Sequence, residues 1–111
     1  MIVRVFRARI RHDSESMVLD DMRDGSNQDW DGLVARYAAH RVQAGQVVTM
    51  NISVWRDLDA LHAWAGPRIE VPVLASHILD AIEEWSIEHF EVFEDQPGPN
   101  ELRILGQHGA Q

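Results

Sequence analysis

The stretch Val47 to Gly66, VVTMNISVWRDLDALHAWAG, constrains the fold more than any other part of this chain. A strictly alternating segment ends on a tryptophan and passes at once into a short helix with both ends marked. With a period of two, Val48, Met50, Ile52 and Val54 face one way, while Val47, Thr49, Asn51, Ser53 and Trp55 face the other. Asn51 and Trp55 therefore share a sheet face. Asp57 offers a side-chain oxygen to the first free amides of the helix, Asp59 complements its positive end, and Gly66-Pro67 stops it. Leu58, Leu61 and Ala65 are its expected buried stripe.

Around this junction the chain reads as further strands and helices. Ile2 to Ile10 alternates, with Ile2, Phe6, Ala8 and Ile10 on one face and Val3 and Val5 on the other, so both faces are partly apolar and a strand covered on both sides is expected. Asp13 and Ser14 can cap an acidic helix through about Arg23 with Met17, Val18 and Met22 inward, before DGSNQDWDG breaks the pattern. Leu33 to Val42 fits a helical stripe about as well as a strand. Gly32 as a strand entry and Ala44-Gly45-Gln46 as a hairpin-length connection favour the strand. Beyond Pro72, Leu74, Ile78, Ile82 and Trp85 recur at helical spacing, and SIEHFEVFED alternates as a last strand. The domain is expected over residues 1–95, with Gln96 to Gln111 as a tail in which Leu102, Ile104 and Leu105 could dock on a neighbour.

A chain of 111 residues, 45% hydrophobic, makes one small domain with little core to spare, so extra burial through a partner is plausible. Its formal charge of -8 repels a phosphate backbone or an anionic membrane surface, which argues against nucleic-acid and membrane partners. Without cysteine there is no disulfide, thiolate nucleophile or sulfur-ligated metal, which suits a reducing cytoplasm. The opening MIVRVFRARIRH alternates arginines with apolar residues and lacks the continuous apolar block of a signal peptide or span.

Strand-helix-strand-strand-helix-strand is the ferredoxin-like α+β topology, a four-stranded antiparallel sheet with helices on one face. The MIVRVFRARI strand, the DGL entry to the second strand, the NISVWRDLDALHAW junction and the closing SIEHFEVFE resemble the antibiotic biosynthesis monooxygenase group of the dimeric α+β barrel superfamily, over roughly Ile2 to Glu94. The resemblance implies a homodimer in which two sheets form one barrel. It further implies a cofactor-independent monooxygenase that oxidises a small or polycyclic aromatic compound, of the anthrone or hydroquinone kind, with dioxygen. Such chemistry asks of the protein a dry cavity, a proton acceptor and donors for an oxyanion.

By that resemblance Asn51 would hydrogen-bond the substrate oxygen or a peroxy intermediate, and the Trp55 indole N–H would donate to the same region. His89 joins them as a catalytic candidate, and Tyr37, Arg7 and Trp64 are candidate substrate contacts. Each has a plainer reading. Trp55 and Trp64 can simply pack, Tyr37 can serve a core or dimer interface, and Arg7, among Arg4, Arg9 and Arg11, can belong to an ion-pairing surface. His89 and Glu91 share a strand face and could form a carboxylate-oriented base or part of a metal site, but a hydrogen-bonded structural histidine fits as well. No H-x-x-x-H spacing occurs, and no dedicated metal site is expected. A second reading within the family is haem degradation, which Trp64 and His77 echo, although the first strand has no asparagine and Arg7 stands about where one is expected. A third is a non-catalytic dimer that binds a small ligand.

Overall fold

The computed structural model describes residues 1–25 and 28–94. Strand β1 (Ile2–Ile10) leads through one 3-10 turn (His12–Ser14) into helix α1 (Glu15–Gly25). Strands β2 (Leu33–Gln43) and β3 (Gln46–Trp55) form a hairpin, followed by α2 (Leu58–Ala65), the single-turn α3 (Ser76–Leu79) and β4 (Ile82–Glu91). All pairings are antiparallel and the sheet order is β2-β3-β1-β4, with helices on one face. This is the ferredoxin-like arrangement.

Leu33–Gln43 is a strand because its hairpin partner settles what periodicity leaves open. Ala44 and Gly45 both take positive φ, 52° and 75°, the two-residue turn whose twist matches antiparallel strands. Helix α2 starts where Asp57 accepts a hydrogen bond from the Ala60 amide at 2.8 Å, and it ends at Gly66, with φ of 86°.

Three expectations about packing need correction. Leu61 is buried and Ala65 packs beside it as expected, but Leu58 is exposed and Ala60 is buried in its place, since a helix this short meets the sheet with little more than one turn. Met17 is exposed while Val18 is buried and Met22 packs beside it, so α1 is rotated by about one residue from its predicted stripe. The helical spacing of Leu74, Ile78, Ile82 and Trp85 is coincidental after the single turn of α3. Ile82 and Trp85 belong to β4, where Ile82 pairs with Ile10 and Trp85 with Ala8. The predicted tail from Gln96 lies outside the described residues.

The helix-covered face holds two apolar clusters. One gathers Phe6, Ala8, Ile10, Val47 and Ile82 beneath Val18 of α1, with Leu74 and Ile87 at its margin. The other centres on Trp55 and Leu61, with Leu33, Trp64 and Ile69 around them. Because α1 and α2 cover different ends of the sheet, a gap is left between the two clusters. The cleft lined by Arg4, Asn51, Trp55 and Trp64 lies there.

Candidate functional site

Strand register decides which side chains meet in this gap. Arg36 pairs with Ser53, Ser53 with Arg4, and Arg4 with His89, so one polar row crosses all four strands on the helix-covered face. The row beside it runs Ala38, Asn51, Phe6, Ile87, and the row on its other side runs Leu33, Trp55, Ile2, Glu91. The result is a polar stripe flanked by two mostly apolar rows, one of which carries Asn51. The cleft above it holds about 610 Å³, counting its open mouth, and is lined by Arg4, Asn51, Ser53, Trp55, Trp64 and Arg36, with Phe6, Leu33 and Leu74 as apolar walls. Most of that space is the open mouth, and the enclosed part is about 60 Å³, smaller than a closed small-molecule site, although apolar walls with a few placed polar groups are the lining such sites have.

Asn51 and Trp55 reach the cleft together from one face of β3, as their spacing predicts. The Asn51 carboxamide makes no hydrogen bond to the described residues, so its donors and acceptor are free. Trp55 is different. It is 1% exposed and its indole N–H donates to Ser53 Oγ at 2.9 Å, so that proton is already engaged and Trp55 forms the floor of the cleft. The hydroxyl of Ser53, accepting from Trp55, keeps its own proton to donate elsewhere. Trp64 of α2 leans on Trp55, ring centroids 5.2 Å apart, which stacks two large apolar faces at one wall.

Tyr37 and Arg7 do not join this group. Tyr37 pairs with Ile52 and Arg7 with Met50, both on the opposite sheet face, and Arg7 faces Glu88 at 3.9 Å. The cavity-facing residue of β1 at that level is Phe6. His89 sits one step behind the lining. Its Nε2 lies 3.0 Å from Arg4 Nη1, and burial together with the Arg4 charge lowers its pKa below the ordinary histidine value, so the neutral ring accepts from the guanidinium. His77, on α3, is exposed and does not line the cleft.

Arg4, Ser53 and Arg36 are the site residues that sequence reasoning passed over. Arg4 is 3% exposed, lies over the Trp64 ring at 5.5 Å, and donates to the carbonyls of Ile69 and, at 3.0 Å, of Val71. A signal existed: Arg4 shares its parity with Ile2, Phe6 and Ala8, and an arginine on the apolar face of a strand needs an explanation. Ser53 likewise shares parity with Asn51 and Trp55.

A helix-covered antiparallel sheet of this order is the ferredoxin-like α+β fold, which solved structures of candidate antibiotic biosynthesis monooxygenases share. No protein-family model and no curated protein matches the sequence. Among solved structures the chain is similar to a candidate antibiotic biosynthesis monooxygenase from Deinococcus radiodurans, with a TM-score of 0.59 and 14% identity over 88% of this chain and 98% of that one. It is also similar to an arginine-to-serine mutant of MhuD with two manganese protoporphyrin IX bound per active site, with a TM-score of 0.58 and 13% identity over 88% of this chain and all of that one. Rv0793 from Mycobacterium tuberculosis matches with a TM-score of 0.55 and 16% identity, over 86% and 98% of the two chains. At such identities the shared property is the fold.

Proposed function

We propose that this protein is a homodimeric, cofactor-independent monooxygenase that oxidises an aromatic compound of the anthrone or hydroquinone kind in the cleft between β3, β1 and α2. The observation that supports this most is the free Asn51 carboxamide beside stacked Trp55 and Trp64, with the Ser53 hydroxyl and the Arg4 guanidinium within the same lining. Aromatic walls hold a planar substrate, and the polar row stabilises negative charge as it develops on a ring oxygen. Loss of a proton gives an electron-rich anion, which passes one electron to dioxygen. The two radicals combine at the ring carbon to a peroxide anion, which takes back the proton first lost to become the hydroperoxide, and elimination of water leaves a carbonyl, so that a CH2 and O2 become C=O and H2O. In this scheme Asn51 hydrogen-bonds the substrate oxygen or the peroxide, and His89 acts through Arg4 by holding its guanidinium in place.

Haem is a poorer fit. No histidine, tyrosine or methionine stands among the described lining residues to serve as an axial ligand, and Phe6 rather than an asparagine faces the cleft from β1. Oxygen uptake with an anthrone and hydroquinone panel tests the proposal. Asn51→Ala is expected to lower turnover by about ten-fold or more, with the melting temperature nearly unchanged; an unfolded mutant would make Asn51 structural. Haemin titration is expected to give no specific Soret shift, and a shifted band that bleaches with reductant in air would replace this reading by haem degradation.

A further inference from the structure

Arg4 is, among the described residues, a buried cation without a counter-ion. Among the described residues no carboxylate pairs with it, and its partners are two carbonyls, the neutral ring of His89 and the face of Trp64. Glu70, between the two carbonyls in sequence, lies close enough to His89 for the two charges to act on each other, but it is exposed, makes no ion pair with Arg4 among the described contacts and is engaged by Arg68 at 3.0 Å. Burial draws the Arg4 pKa down from its ordinary value, yet an arginine keeps its proton in any protein environment. An unpaired buried charge is costly to keep, and an acidic chain has carboxylates in plenty with which to neutralise it. Here they go elsewhere: Glu83 and Glu84 to Arg9, Glu88 to Arg7 and Asp57 to Arg56.

The guanidinium also has donors to spare. Its described contacts use Nη1 twice and Nη2 once, so the Nε–H and the second Nη2–H have no acceptor among the described residues. No fully buried side-chain nitrogen or oxygen of the described residues lacks a partner. The unpaired Nε therefore keeps a little accessible surface, and the cavity that Arg4 lines is the cleft. Across the cleft floor, Arg36 is half-buried and makes no ion pair or hydrogen bond to the described residues. Asp29, exposed at the mouth, is the carboxylate along the described lining.

We infer that the cleft selects an aromatic ligand carrying a carboxylate, whose two oxygens take the free edge of Arg4 while its ring lies against Trp64 and Trp55. A planar two-oxygen anion matches the fork geometry of a guanidinium. The overall charge of -8 repels anions from the rest of the surface, so a preference for one must be local to this site. The inference rests on the reading of the cleft as the substrate site and gives that substrate its charge.

The test compares 2-naphthoate with its neutral isostere 2-naphthamide by isothermal titration calorimetry. The wild-type protein is expected to bind naphthoate about ten-fold more tightly or better. That preference is expected to persist at about 0.5 M salt, where pairing at an exposed site would be screened. Arg4→Met is expected to abolish the preference of naphthoate over naphthamide, with Arg4→Lys in between because it keeps charge but loses the fork. Should Arg4→Met fail to fold, the wild-type comparison still decides. Equal affinity for the two probes, tighter binding of the amide, or no binding of naphthoate at millimolar concentration would overturn the inference. Oxygen uptake is a separate readout. A naphthoate preference without turnover of any substrate would sink the monooxygenase reading alone, and turnover of neutral anthrones without a charge preference would sink this one alone.

Discussion

Gly32 shows how much one residue can decide in so small a domain. Its φ is 83°, a region that side chains other than glycine rarely adopt, and a Cβ built there would run into the Cβ of Ala60. Its carbonyl also accepts from the Arg56 amide at 2.8 Å, tying the entry of β2 to the exit of β3 just before α2 begins. Gly32→Ala thus combines backbone strain with overpacking against a buried helix residue, for an expected loss of about 1–3 kcal/mol. Thermal unfolding should show this as a drop of several degrees; an unchanged midpoint would mean that α2 can shift without cost. Trp55 teaches a related lesson. Its position was legible from the strand pattern, but the fate of its N–H depended on Ser53, two residues away on the same face.

At the scale of elements, β4 carries the pH dependence. His89 lies on the helix-covered face beside Arg4, and its pKa is lowered by burial first and by Arg4 second. The folded state therefore resists protonation more than the unfolded chain, whose histidine titrates near 6.5. The sign follows: stability is unaffected by this group well above that pH, and declines as pH falls from about 6.5 toward the lower folded pKa, because the unfolded state takes up the proton first. Urea denaturation in steps from about pH 7.5 to pH 5 is expected to show that decline. His89→Gln, which can still accept from Arg4, should flatten it, and an equal slope in both proteins would place the titration elsewhere. The same strand shows where periodicity misleads. Leu74, Ile78, Ile82 and Trp85 have helical spacing, but α3 ends at Leu79 and the Ala81 amide bonds to Ile78, turning the chain into β4.

At the scale of the whole molecule, the unresolved demand is the sheet face away from the helices. Ala35, Val54, Val3 and Phe90 form one row across it, and Tyr37, Ile52, Val5 and Glu88 the next. Tyr37 is 65% exposed and Phe90 52%, a large apolar surface for one small domain. In the homodimer proposed above, a second copy on this face would cover Tyr37, which the sheet itself separates from the cleft. Size-exclusion chromatography at micromolar concentration is expected to give twice the chain mass. Ile52→Glu, central on that face, should yield monomer; a wild-type monomer would contradict the dimer. Among the described residues no helix is long and apolar enough to cross a membrane.

The strand reading of β1 and β3, the face shared by Asn51 and Trp55, and both ends of α2 were determined by the sequence alone, because alternation, capping and glycine stops act over a few residues. The identity of the β2 segment was half legible, since Gly32 and the Ala44-Gly45 turn are local signals while its apolar pattern is ambiguous. What only the tertiary structure decided was which strands lie side by side. Register alone places Arg36, Ser53, Arg4 and His89 in one row and puts Arg7 and Tyr37 on the far side of the sheet. Strand neighbours far apart in the chain leave no local trace, so a buried arginine that faces a cleft looks, in sequence, like one more member of a basic strand.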